Sequence, residues 1–184
     1  MEIEVINEYA QKFLNEWIVN HNFITVFIFK VLRTLNYFIL SKYAEAYDQI
    51  TRAKKYVNYA TGSYTICEFN FYESLVLCAL STTAESHSRQ EYIRQVKVNQ
   101  KEMKFWSKSC PENFQHKYLL VEAELSRLNG HFWRASKLYD EAIEEAHNNE
   151  FVHVEAIANE LCANLYSHLG KAKIMRSYLM EAHY

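Results

Sequence analysis

The chain has 184 residues, 49% hydrophobic and 23% charged, with a formal net charge of -2 and 3 Gly and 1 Pro in total. Ordinary usage would give roughly 13 Gly and 9 Pro at this length; turns between strands need such residues, so an all-β fold is excluded, and so are glycine-rich phosphate loops. An aromatic content of 15% excludes intrinsic disorder, and the near-neutral charge argues against a general nucleic-acid or membrane-surface binder. In chain order, apolar periodicity predicts a helix over 3–19, after a Met1-Glu2-Ile3-Glu4 start that lacks the basic residues of a signal peptide. The most apolar run, 23–29, ends at Lys30. It is far shorter than the roughly 20 residues a bilayer span needs, and with no partner strand it reads as buried helix. Four helix pairs follow: 23–40 with 42–60, 64–81 with 88–107, 111–129 with 131–147, and 150–169 with 171–183. Pro111 suits a first helical position, Ser109 with Glu112 and Ser88 with Glu91 have capping-box spacing, and Asn148-Asn149 reads as a turn. Gly62, Gly130 and Gly170 fall where left-handed C-caps are expected.

Gly130 and Gly170 lie forty residues apart, and the helices after them align. Phe132, Ala135, Tyr139, Ala142 and Ala146 form one ridge, and Met175, Leu179 and Ala182 take the places of Ala135, Tyr139 and Ala142. Tyr43, Ala46, Ile50 and Ala53 repeat the order upstream. Apolar faces on the preceding helices include Tyr118, Val121, Leu125 and Leu128, and Phe151, Val154, Ala158, Leu161 and Leu165. Small residues let helices approach to 8–10 Å, and an aromatic between them fills the groove of the neighbour. This pattern is similar to tetratricopeptide hairpins, although their usual period is about 34. The fold class read from it is all-α: a right-handed α-solenoid of four such pairs plus an N-terminal helix, forming a single domain over 1–184. The second pair fits worst, with Val96, Gln100 and Met103 in place of Ala, aromatic and Ala, so irregular packing is expected there.

Two charge blocks stand out. Arg94, Lys97, Lys101, Lys104 and Lys108 step by 3, 4, 3 and 4 and form a basic stripe down one helix. Between residues 138 and 170 there is no Lys or Arg, while Asp140, Glu141, Glu144, Glu145, Glu150, Glu155 and Glu160 supply negative charge. Mutual compensation or solvation is the plain expectation, and partner docking the alternative. Glu144-x-x-His147 and Glu150-x-x-His153 resemble halves of di-iron sites, but they flank a turn at a helix end, where a histidine meets the helix dipole. His116, His131, His168 and His183 have no metal-ligand spacing. Cys67, Cys78, Cys110 and Cys162 have no paired spacing and read as reduced thiols of a cytoplasmic protein. No catalytic, metal-binding or cofactor-binding residue is assigned.

Longer strings then become recognisable. They are Asn70-Phe71-Tyr72-Glu73-Ser74-Leu75, Asn99-Gln100-Lys101-Glu102-Met103-Lys104-Phe105-Trp106, and Cys110-Pro111-Glu112-Asn113-Phe114-Gln115-His116-Lys117-Tyr118 leading into Leu120-Val121-Glu122-Ala123-Glu124. Tyr139-Asp140-Glu141-Ala142-Ile143, Ala156-Ile157-Ala158-Asn159-Glu160-Leu161 and Tyr178-Leu179-Met180-Glu181-Ala182-His183-Tyr184 complete the set. In this order, over 23–184, the chain resembles the helical repeat region of large bacterial signalling proteins that also carry a serine/threonine-kinase-like domain, an AAA-type ATPase, a GAF sensor and a histidine kinase. The resemblance implies a fragment that connects a nucleotide-controlled ATPase to sensor and kinase output, a role suited to flexible helical arrays. It carries over none of the neighbouring domains' activities. The polar residues on the strings, Asn70, Tyr72, His116, Tyr118 and Glu122, are the candidate protein contacts. The expected partner is protein, with no nucleic acid and no membrane insertion, and no oligomeric state is assigned. The alternative is a free-standing peptide or small-ligand sensor.

Overall fold

The computed structural model describes residues 10–182 in full and the helix backbone from residue 2; His183 and Tyr184 lie outside the described residues. The described chain is all-helical, in the order α1 (Glu2–Val19), α2 (Phe23–Ile39), α3 (Tyr43–Ala53), a 3-10 segment (Lys54–Ala60), α4 (Thr65–Leu80), α5 (Ser86–Ser109), α6 (Pro111–Leu128), α7 (Phe132–Asn148), α8 (Val152–His168) and α9 (Ala172–Ala182). Two compact units divide it inside α4, at Tyr72 and Glu73. In the first unit α2 packs on α1, α3 and the 3-10 segment; in the second, α5 packs on α6, α6 on α7, α7 on α8 and α8 on α9. No described helix is long and apolar enough to cross a membrane.

One turn recurs. His21, Ser41, Gly130, Glu150 and Gly170 all have positive φ, at 55°, 56°, 76°, 62° and 69°. At each, the left-handed residue's N–H bonds the carbonyl three residues back and the next N–H bonds the carbonyl five back, as in Gly130 N to Arg127 O at 3.0 Å and His131 N to Ser126 O at 2.9 Å. This is the Schellman arrangement, which satisfies the last helical carbonyls. The residue after it, such as His131 or Phe151, then opens the next helix without a side-chain cap. The chain is therefore turned back in three residues, and consecutive helices are held as neighbours.

The ridges face inward. Ala46, Ile50 and Ala53 on α3 and Ala135, Tyr139, Ala142 and Ala146 on α7 are buried. Tyr139 Oη donates to Glu124 Oε1 on α6, and Arg127 clamps the same carboxylate through Nε at 2.9 Å and Nη2 at 2.7 Å. The groove-filling aromatic is thus also bonded to a buried carboxylate whose arginine partner is half-buried. On α5, Val96, Gln100 and Met103 are buried in the same register. Gln100 replaces the aromatic's bulk with hydrogen bonds from Nε2 to Tyr118 O at 3.1 Å and Glu122 Oε1 at 2.9 Å. By contrast, none of the Met175, Leu179 and Ala182 positions on α9 is buried, because α8 covers only one side of that helix.

Three local expectations need correction. The helix predicted over 42–60 changes to 3-10 at Lys54. That tighter winding eclipses residues three apart and sets Tyr56 and Tyr59 together against Phe23, with ring centroids at 5.6 and 4.6 Å. Helix α5 begins two residues ahead of Ser88, so Ser88 is interior and caps nothing. Ser109 Oγ donates to Phe105 O at 3.0 Å instead of capping α6, whose N-cap is Cys110 with Pro111 as the first helical residue.

A Cβ added at Gly130 meets no heavy atom within 4 Å, so the cost of Gly130→Ala is the left-handed backbone alone, about 1–2 kcal/mol. Glu150→Gly at the equivalent turn relieves the same strain. Urea unfolding is expected to show Gly130→Ala destabilised and Glu150→Gly stabilised by about 1 kcal/mol each; shifts of the same sign would refute the shared turn geometry.

Candidate functional site

Helices of the second unit line an open groove of about 400 Å³, with Asp140, Ile143, Glu144 and His147 from α7, Glu155 and Asn159 from α8, and Ser177, Tyr178 and Glu181 from α9. Four of these nine side chains are carboxylates and none is Lys or Arg. Helix α7 presents Asp140, Glu144 and His147 along one edge because they are spaced four and three apart, so they share a face. The three-residue turns bring α8 and α9 alongside.

Specific contacts shape the walls. Tyr178 Oη donates to Asp140 Oδ1 at 2.5 Å. The ring of Tyr178 stacks on Tyr166 at 5.6 Å and 11°, and the Tyr166 hydroxyl lies 2.7 Å from Ser136 Oγ. Burial and the Asp140 carboxylate push the Tyr178 phenol above its ordinary range, so it stays a proton donor. His147 Nδ1 sits 3.1 Å from Glu155 Oε1. Asn159 is 2% exposed; its Nδ2 donates to Glu155 O at 3.1 Å. Its carboxamide Oδ1 is left as an acceptor at the cavity wall. Apart from Ile143, Tyr178 and His147, the lining consists of four carboxylates and the polar side chains of Asn159 and Ser177. Such a concavity focuses negative potential and favours cationic donors.

Cys162 is buried, and burial pushes its thiol up to about 12; the fully buried Cys78 thiol is raised well above its ordinary value for the same reason. A thiol held neutral is a poor nucleophile. Among the described residues no group of three His, Cys, Asp or Glu side chains is placed to hold a metal ion.

The candidate contacts read from the sequence separate into two sets. Asn70, Tyr72 and His116 are buried at 5%, 2% and 0% exposure, where a partner docking on the closed surface does not reach them. Tyr118 and Glu122 are brought together with Gln100 and with Arg134, whose Nη2 lies 3.9 Å from Glu122 Oε2. The basic stripe Arg94, Lys97, Lys101, Lys104 and Lys108 is exposed along its whole length. Of the two expected fates, compensation or solvation, the stripe shows the second: its five cations are exposed and none pairs with Asp140, Glu144 or Glu155, and Asp140 and Glu155 make their contacts inside the groove. Glu141 pairs locally with Lys137 at 3.6 Å. The sequence reading missed Asn159, Ser177, Tyr178 and Glu181. The forty-residue repeat was the available signal, since it sets the neighbourhood of residue 180 beside residue 140.

No family model, curated protein or solved structure matches this chain.

His116 illustrates a role in stability. Its ring lies 4.2 Å from that of Phe151, over which Lys117 Nζ also sits at 4.7 Å, and both ring nitrogens are buried without hydrogen bonds. Burial, followed by the charges of Lys117 and His153, holds its pKa down to about 3, against 6.5 for the free side chain. The unfolded chain therefore binds the extra proton, so stability is full above pH 6.5 and falls as pH drops from there toward 3. Between pH 7 and pH 5 the loss is about 2 kcal/mol. Chemical denaturation across this window is expected to show a loss about 2 kcal/mol steeper in wild type than in His116→Phe; an equal slope in both would refute it.

Proposed function

We propose that this chain is a non-catalytic protein-interaction module, built as a right-handed α-solenoid of tetratricopeptide-like hairpins. In this reading it connects an ATPase-type regulatory domain to sensor and histidine-kinase output in a bacterial signalling protein. The recurring turn and the buried alanine ridges support the architecture, and the ordered sequence strings support the connector role. The observation that carries the binding function is the α7–α9 cavity, with four carboxylates and no Lys or Arg in its lining. A Lys- or Arg-bearing segment supplies the donors that Asp140, Glu144, Glu155, Glu181 and Asn159 Oδ1 accept. The free-standing peptide sensor is the second reading. Its support is the cavity's size, which suits one or two inserted side chains.

The test is fluorescence anisotropy with a labelled peptide alternating Arg and Ala. Binding is expected to weaken with salt, and to fall about tenfold, or about 1.4 kcal/mol, in the Asp140→Asn, Glu144→Gln double variant. Glu160→Gln, outside the cavity, is expected to bind as wild type does. Equal loss in Glu160→Gln, or none in the double variant, would remove the cavity as the site.

A further inference from the structure

The groove's own chain carries a surface that fits it. On α5, Phe105 is 69% exposed and Val98 48% exposed, beside five cations that are solvent-exposed. Lys101 and Lys108 lie four residues before and three after Phe105, so they flank its ring along one helix face. An exposed aromatic between two ammonium groups is the inverse of the cavity, where Ile143 and the Tyr178 ring lie among Asp140, Glu144, Glu155 and Glu181. About 400 Å³ is ample for one phenyl group. Asn159, whose Nδ2 is taken by Glu155 O, also lines this groove.

We infer that the occupant of the cavity is a second copy of this chain, which inserts Phe105 and sets Lys101 and Lys108 against the rim carboxylates. This deepens the groove reading above and rests on it. Stripe and cavity are different patches of the second unit, so the contact is head-to-tail. Each contact leaves one free stripe and one free cavity, so association continues past the dimer into chains or rings. Apolar insertion supplies the anchor and the charges supply orientation and salt sensitivity.

The experiment is sedimentation velocity on the full chain over a concentration series. In about 0.1 M salt the mean mass is expected to rise with concentration above the 21.9 kDa monomer, and in about 1 M salt, where the Debye length is about 3 Å, to return toward it. Two variants, each checked for helicity by circular dichroism, separate the surfaces: Phe105→Ala with Lys101→Glu disables the stripe, and Asp140→Asn with Glu144→Gln disables the cavity. Each alone is expected to remain monomeric, while a mixture of the two forms a one-to-one dimer that grows no further. Wild-type association in either variant alone, or a mixture that stays monomeric, would overturn the proposal. If the Arg–Ala peptide binds the cavity while the wild-type chain stays monomeric at every concentration, self-docking fails and the groove reading stands. If the peptide does not bind either, both fall.

Discussion

The constraint on which the described fold depends is a three-residue turn with one left-handed residue. It returns the chain almost at once at five connections, so α1 with α2, α2 with α3, α6 with α7, α7 with α8 and α8 with α9 pack as sequence neighbours. Close neighbours demand small contact residues, and Ala135, Ala142 and Ala146 provide them on α7, with Tyr139 filling the space between. The Tyr139 hydroxyl then has to be satisfied where water does not reach. Glu124 does this, and Arg127 compensates the carboxylate. The ridge and the Glu124–Arg127 pair therefore meet at Tyr139, whose polar tip is satisfied there. On α5 the same position is filled by Gln100, whose hydrogen bonds to α6 do the corresponding job.

The turns also decide where charge accumulates. Asp140, Glu155 and Tyr178 are distant in sequence, yet the turns at Glu150 and Gly170 bring their helices alongside. Carboxylates gathered in a concavity repel one another and are less well screened than on a convex face. Tyr178 relieves Asp140 by donating to it, and His147 lies against Glu155. Glu144 and Glu181 remain for a donor from outside, which is the electrostatic basis of the proposed binding role.

Much of this was legible in the residues, and the failures have physical causes. Glycine marks a left-handed turn in the sequence, so Gly62, Gly130 and Gly170 were readable. His21, Ser41 and Glu150 adopt the same backbone with a Cβ, because packing on both sides of the turn imposes it against local preference. Capping boxes at Ser88 and Ser109 matched in spacing and failed in the structure: α5 starts two residues before Ser88, and the Ser109 hydroxyl bonds Phe105 O. The acidic block was visible as composition. The cavity it lines was not, because Tyr178 and Glu181 come from a helix one repeat later.

Polar residues inside helices invite a functional reading, and here most of them are accounted for by packing. Asn99 Nδ2 donates to Glu73 Oε2 at 2.9 Å and Ser74 Oγ at 3.2 Å, tying α5 to α4. Arg89 Nη2 donates to Leu128 O at 2.7 Å, where the end of α6 leaves a carbonyl over. Such buried contacts fix which helix faces meet, since a shifted register would strand the same groups without partners. Asn70, Tyr72 and His116 share that buried setting. A recognition role therefore falls to groups the packing leaves exposed: the open carboxylates of the α7–α9 cavity, and the α5 stripe, whose ammonium groups and phenyl ring contribute nothing to the core. Opposite charges on separate patches of one unit find each other most directly between copies, because within a copy the rigid helices hold them apart.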